Sequence, residues 1–207
     1  MYLSRVKLDT DLRATKRAIA NPQMLHAIVA GCFERDTKVR PLWRIDALDG
    51  ATYLLVVSSI VPEFMGLTTQ LSSPETAEVA VRNYDPFLSH LAKGDELRFR
   101  INANPVQSVK RVSAPTRRGK VTGLSIDKQG IWLQNRAIKN GFELIHFKVV
   151  SRGERVFKRG DDTVTLSVAC FEGVLKVLDK DLLVKALTQG IGRAKAYGCG
   201  LITVARS

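Results

Sequence analysis

Polar and apolar residues alternate through MYLSRVKL at positions 1–8, the period-two pattern of a half-buried strand. The period then changes. In PQMLHAIVAGCF, residues 22–33, Leu25, Ile28, Val29, Cys32 and Phe33 fall at i, i+3, i+4, i+7 and i+8, which is one buried face of a helix. Asn21 is a good N-cap for that helix and Pro22 suits its first position. Residues 42–47 and 51–61 are rich in β-formers and flank Asp49-Gly50, which predicts a hairpin. Asp85-Pro86 opens a short helix that Gly94 ends, and ELRFRINANPV, residues 96–106, alternates as another strand.

That order, β-α-β-β-α-β, is the order of a ferredoxin-like unit, an arrangement RNA-recognition domains share. The second half repeats the theme. IWLQNRAIKN within 127–140 predicts a helix closed by Gly141, and FELIHFKVV, residues 142–150, a strand. The following stretch reads as a basic hairpin turning at Arg159-Gly160-Asp161 and a second hairpin turning at Glu172-Gly173. An amphipathic helix over 181–189, ended by Gly190, precedes a last strand at 201–205. Between Asn102 and Ile126 there is no acidic residue, while Lys110, Arg111, Arg117, Arg118 and Lys120 cluster there with Pro115 and Gly119. This predicts an α+β chain of two tandem ferredoxin-like domains, 1–115 and 116–207, joined near residue 115.

Composition narrows the function. Of 207 residues, 32 are basic and 20 acidic, a net charge of +12 that predicts a polyanionic partner. No basic amphipathic helix is visible, which favours nucleic acid over an anionic membrane. No apolar run approaches the ~20 residues of a membrane span, and the alternating, charged start is not a signal peptide. Cys32, Cys170 and Cys199 are widely spaced, with no CxxC pair, which points to a reducing cytoplasm and no zinc site.

Three groups of residues could carry chemistry. Of the histidines, His146 lies inside an apolar strand and is expected to pack, and His90 sits at a helix end where a cation suits the dipole. His26 differs: it flanks the apolar stripe, near a helix N-terminus that favours anions. The second group is GIGRAKAYGCG, residues 190–200, with four glycines beside Arg193 and Lys195. It is either a phosphate-contacting loop or a helix-to-strand connection with glycines for steric reasons; no GKS or GKT marks a Walker loop. The third is the hairpin carrying Lys148, Arg152, Arg155, Lys158 and Arg159, suited to lie along a duplex and contact phosphates, or else a solvated hairpin. Paired carboxylates, HExxH, GxSxG and clustered metal ligands are missing. Phosphoryl chemistry would fall to His, Lys, Arg and backbone, which is feasible on RNA because its 2′-hydroxyl is a built-in nucleophile.

Taken together, MYLSRV, FRINANPV, WLQ, VACFEGVLKV and above all QGIGRAKAYGCGLITVA resemble the CasE family over nearly the whole chain. These are CRISPR repeat endoribonucleases of type I-E (Cascade) systems, within the RAMP superfamily. The resemblance implies two tandem ferredoxin-like domains and binding of the stem-loop of CRISPR repeat RNA. It implies metal-independent cutting at the 3′ base of the stem by the upstream 2′-hydroxyl, without any cofactor, leaving a 2′,3′-cyclic phosphate and a 5′-hydroxyl. The protein then stays on its product as a subunit beside other Cascade subunits. His26 in NPQMLH matches the family's catalytic histidine, as base or as acid. Some members carry a tyrosine where this chain has Gln23, and basic residues where it has Ala27 and Gly31. Gln23 is therefore the candidate for a phosphate oxygen, and Arg13, Lys16, Arg17 or Lys195 for charge stabilisation. Arg152, Arg155, Lys158 and Arg159, with Gly190, Gly192 and Arg193, are the RNA-binding candidates. A non-catalytic RNA-binding subunit is the rival reading, and a DNA-binding regulator a third that lacks a helix-turn-helix.

Overall fold

The computed structural model describes residues 1–35, 37–109 and 120–206. The chain begins β1 (Tyr2–Leu8), α1 (Arg13–Ala20), α2 (Pro22–Ala30), β2 (Leu42–Leu48), β3 (Ala51–Ser58), α3 (Met65–Leu71) and β4 (Val79–Asn83). These strands form an antiparallel sheet in the order β2-β3-β1-β4. After α4 (Asp85–Ser89) come β5 (Glu96–Ala103), β6 (Val106–Val109), β7 (Lys120–Gly123) and α5 (Ile126–Lys139). The chain continues through β8 (Phe142–Arg159), β9 (Asp162–Val177), α6 (Lys180–Gln189) and β10 (Ile202–Ala205). The second sheet runs β10-β5-β9-β8, and β6 and β7 pair separately. Counted along the chain, both four-stranded sheets read fourth, first, third, second. With helices in both crossovers, that is the ferredoxin-like arrangement twice.

Three expectations need correction. The strand read as closing the first unit, β5, pairs with β9 and β10 and opens the second. The true fourth strand, β4, is five residues long, lies at the sheet edge and is almost wholly exposed, so it lacks the alternation that marks a strand. The sheets therefore separate between residues 84 and 95, whereas a boundary near 115 lies outside the described residues, as do the cations at 110–118 and the side chain of Lys120. Glu172-Gly173 is not a turn: β9 runs straight through it. Gly173 pairs with Phe99 and Phe147, and a Cβ there would stand 2.1 Å from the His146 carbonyl oxygen, so the glycine serves close backbone approach. The hairpin is accordingly one long ribbon of 18- and 16-residue strands. Finally, His146 is exposed; the register slips between Leu144 and His146, and that bulge turns the imidazole out of the core.

Each unit has its own core. Val6, Leu25, Val29, Trp43, Leu54 and Leu67 pack between the first sheet and its helices. In the second, Leu97, Phe99, Leu133, Phe171, Leu175 and Leu187 pack together, joined by Leu42 and Val57 from the first unit. Among the described residues no helix is long and apolar enough to cross a membrane.

The units are bolted by Arg44 on β2, whose side chain is 1% exposed. Nε and Nη2 donate to the two Asp46 carboxylate oxygens at 2.8 and 2.7 Å. Nη1 donates to the carbonyls of Arg100 (2.7 Å) and Leu201 (2.9 Å), and Nη2 to Thr203 Oγ1 (2.7 Å). All five guanidinium protons are thereby placed, three of them on β5, β10 and the residue before β10. Arg100 in turn bridges Asp46 and Glu172. Removing one member of such a buried pair strands the other charge. Arg44→Met is expected to cost about 3–5 kcal/mol of stability, read as a lowered urea midpoint; a midpoint unchanged from wild type would show that the units do not depend on this pair.

Candidate active site

The site is built on α2. Asn21 Oδ1 accepts from the amides of Gln23 (3.0 Å) and Met24 (3.2 Å), capping the helix as its sequence predicts, and Leu25 and Val29 anchor it in the first core. Gln23 and His26, three residues apart, share the neighbouring face and are half-buried.

The 190–200 loop packs against this face, and its glycines are internal. Gly190 adopts φ +73° to end α6, and its amide donates to the Ala186 carbonyl at 2.9 Å, so that N–H is engaged within the protein. A Cβ on Gly192 would meet Trp132, and one on Gly198, at φ +76°, would lie 2.6 Å from Trp43. The steric reading of these glycines thus accounts for Gly190, Gly192 and Gly198. Between them a 3-10 turn over Lys195–Tyr197 delivers Tyr197 onto α2. Its hydroxyl donates to Gln23 Oε1 at 3.2 Å, and its ring meets His26 edge-on with centroids 6.2 Å apart.

The basic hairpin reaches the same point. Phe157, buried near the tip of β8, packs edge-on against Tyr197 at 4.7 Å. Strand alternation puts Arg155 and Arg159 on the Phe157 face. Arg159 is held above its ordinary pKa by the Tyr197 hydroxyl and the Asp162 carboxylate beside it. Arg155 lies close to Cys199, whose thiol is pushed up to about 11 by burial against that cation's opposing pull. Lys158 is exposed on the opposite face. Arg152, also exposed, donates from Nε to Gln129 Oε1 of α5 at 3.2 Å. Lys148 stands apart, lining a separate cleft with Arg98 and His146.

His26 also borders a cleft of about 1150 Å³ lined by residues of α2, the 31–42 connection and the end of α6. Lys195 lines it, with Nζ donating to the Gln189 carbonyl at 2.6 Å; desolvation holds its pKa below the usual lysine value. Arg35 and Arg40 line it as well. Arg13, Lys16 and Arg17 are exposed on α1 and are not among its lining residues, and Arg193 is exposed on the loop. His90 is exposed after α4 with Nδ1 2.6 Å from the Pro86 carbonyl. Among the described residues no three His, Cys, Asp or Glu side chains group as a metal site would need.

The structure therefore brings together His26, Gln23, Lys195, Arg155 and Arg159, and leaves Arg13, Lys16, Arg17 and Lys148 outside. It adds two residues that the sequence pattern did not single out, Tyr197 and Phe157. An aromatic ring among the cations of RVFKR was the signal for the second.

The family model described as CRISPR associated protein matches residues 1–206. CRISPR-associated endoribonuclease Cse3 of Thermus thermophilus is 27% identical, over 99% of this chain and all of its own. CRISPR system Cascade subunit CasE of Escherichia coli K12 is 32% identical over 56% of this chain and 60% of its own. The structure of Thermus thermophilus Cse3 bound to an RNA representing a pre-cleavage complex superposes with a TM-score of 0.82 at 26% identity, covering 99% of this chain and 98% of that one. With one family model spanning almost every residue and a bound-RNA structure following the same two-unit path, this chain belongs to the CRISPR-associated protein family.

Proposed function

We propose that this protein is a metal-independent endoribonuclease of the cytoplasm that binds the stem-loop of CRISPR repeat RNA and cuts the precursor at the 3′ base of the stem. Having cut, it stays on the product as a Cascade subunit. The observation that carries the reading is the meeting of three elements at one imidazole: α2 with His26, the glycine loop with Tyr197, and the basic hairpin through Phe157. A binding module alone would not need a half-exposed histidine where its phosphate-facing surfaces converge. The names of the relatives, an endoribonuclease and a Cascade subunit, support the same reading.

In this reaction the 2′-oxygen attacks the adjacent phosphorus, the bond to the 5′-oxygen breaks, and the products are a 2′,3′-cyclic phosphate and a 5′-hydroxyl. One proton leaves the 2′-hydroxyl and one is delivered to the departing oxygen; His26 performs one of these transfers. Tyr197 occupies the carbonyl end of the Gln23 amide, which leaves the amide nitrogen as the end available to a phosphate oxygen. Lys195 supplies positive charge from the cleft side, where partial desolvation strengthens its field. The hairpin cations Arg152, Arg155, Lys158 and Arg159, with Arg193, neutralise stem phosphates, and Gly190 and Gly192 shape the loop that lies against them. Arg13, Lys16 and Arg17 extend the basic surface along α1 and contribute to long-range attraction of RNA.

His26→Ala should slow cleavage of repeat RNA in EDTA by about 10²–10⁴-fold while leaving stem-loop affinity within roughly threefold of wild type; a variant that cuts at the normal rate would remove His26 from the chemistry. Arg155→Ala with Lys158→Ala should weaken binding and flatten the dependence of log K on log salt by roughly one unit for each phosphate no longer neutralised. An unaltered slope would place the hairpin off the RNA.

A further inference from the structure

Two basic surfaces meet at His26. One is formed by Tyr197 and the hairpin; the other is the cleft of about 1150 Å³ whose described lining includes Arg35, Arg40 and Lys195 and no residue of the hairpin. Glu34 is the one acid among the described residues lining that cleft. Among the described residues none of its three cations is within ion-pair distance of a carboxylate. The cleft is far larger than a single phosphate, its described lining carries three cations against one acid, and the lining includes the small groups Ala27, Ala30, Gly31 and Ala196. The lining also carries Thr37, Thr188 and Gln189, but cations and small or apolar groups predominate, which offers contact to bases and charge to a backbone.

A hairpin RNA cut at the 3′ base of its stem reaches the catalytic group with the duplex on one side of the scissile phosphate and a single strand on the other. If the ribbon holds the duplex, the strand beyond the cut leaves His26 on a path clear of the ribbon, and the cleft, which borders His26 without any hairpin residue in its described lining, offers that path. We infer that the cleft bounded by α2, the 31–42 connection and the end of α6 is the binding site for the single-stranded RNA immediately 3′ of the cut, with Arg35 and Arg40 as its phosphate contacts. This rests on the proposed cleavage at His26 and adds a second, sequence-tolerant binding site to it. The site also accounts for asymmetry between products: once the phosphodiester is broken, the downstream strand is held by the cleft alone, while the stem keeps the ribbon.

The test uses the full-length protein and two repeat RNAs, each carrying a 2′-deoxy nucleotide upstream of the cut so that neither is cleaved. One ends at the base of the stem and the other continues for about six single-stranded nucleotides, within the site sizes such grooves occupy. Wild-type protein is expected to bind the extended RNA about tenfold more tightly at low salt, with the salt dependence of log K steeper by roughly 0.7 for each further phosphate neutralised. Arg35→Ala with Arg40→Ala should close that gap, and replacing the extension with a different sequence should not. Equal affinity of wild type for the two RNAs, or a gap that survives the double substitution, would overturn the assignment. The same preparations are assayed on the all-ribose RNA: loss of cutting there tests the His26 reading, whereas normal cutting with no effect of the extension refutes this site alone.

Discussion

A single guanidinium holds the two halves of this molecule in one geometry. Arg44 sits on the strand that both cores share: Trp43 points into the first core, while Leu42 joins the second. A charge so completely withdrawn from water is tolerable only with every proton placed and a carboxylate opposed to it. Asp46 supplies the carboxylate and the second unit supplies two carbonyls and a hydroxyl. Those partners exist in one relative placement of the sheets. The arrangement around His26 inherits that placement, because His26 belongs to the first unit while Tyr197, Phe157 and the hairpin cations belong to the second.

Most of the architecture was legible in the sequence, and the misreadings share a cause. Long elements with a clear period, such as α2, α5 and the β2–β3 hairpin, are where the pattern puts them. Two tandem ferredoxin-like units were legible too, yet the strand assigned as closing the first opens the second. Alternation in ELRFRINA says that one face is buried but not against which neighbours; pairing is a tertiary choice. The missing strand, VAVRN, is an exposed edge whose only anchorage is β1. Gly173 misled in a related way. A glycine beside an acid reads as a turn, but here its lack of a side chain lets β8 bulge against it.

The site was legible in part. His26 could be singled out from its place on the helix flank together with the family resemblance, and the hairpin cations from their density. The glycine run drew notice under two readings, phosphate contact and steric connection, and the packing of three of its glycines fits the second. Gly190, Gly192 and Gly198 fit against Leu42, Trp132 and Trp43, and the segment they shape sets Tyr197 against α2. No local pattern reveals that. A tyrosine becomes important here because a loop from residue 190 onward, a helix from residue 22 and a ribbon tip at residue 157 meet in space.

The three cysteines give the molecule a chemical character of its own. All are unpaired and buried, and burial drives the Cys32 and Cys199 thiols to about 11, with Cys170 raised in the same direction. Thiolate, not thiol, reacts with peroxides and alkylating agents. Cys199 lies two residues from Tyr197, yet it offers electrophiles almost nothing. The thiols near His26 are thus shielded from electrophiles by the same tight packing that shapes the site. Against three buried thiols, a cysteine introduced on the exposed ribbon would be open to selective thiol labelling.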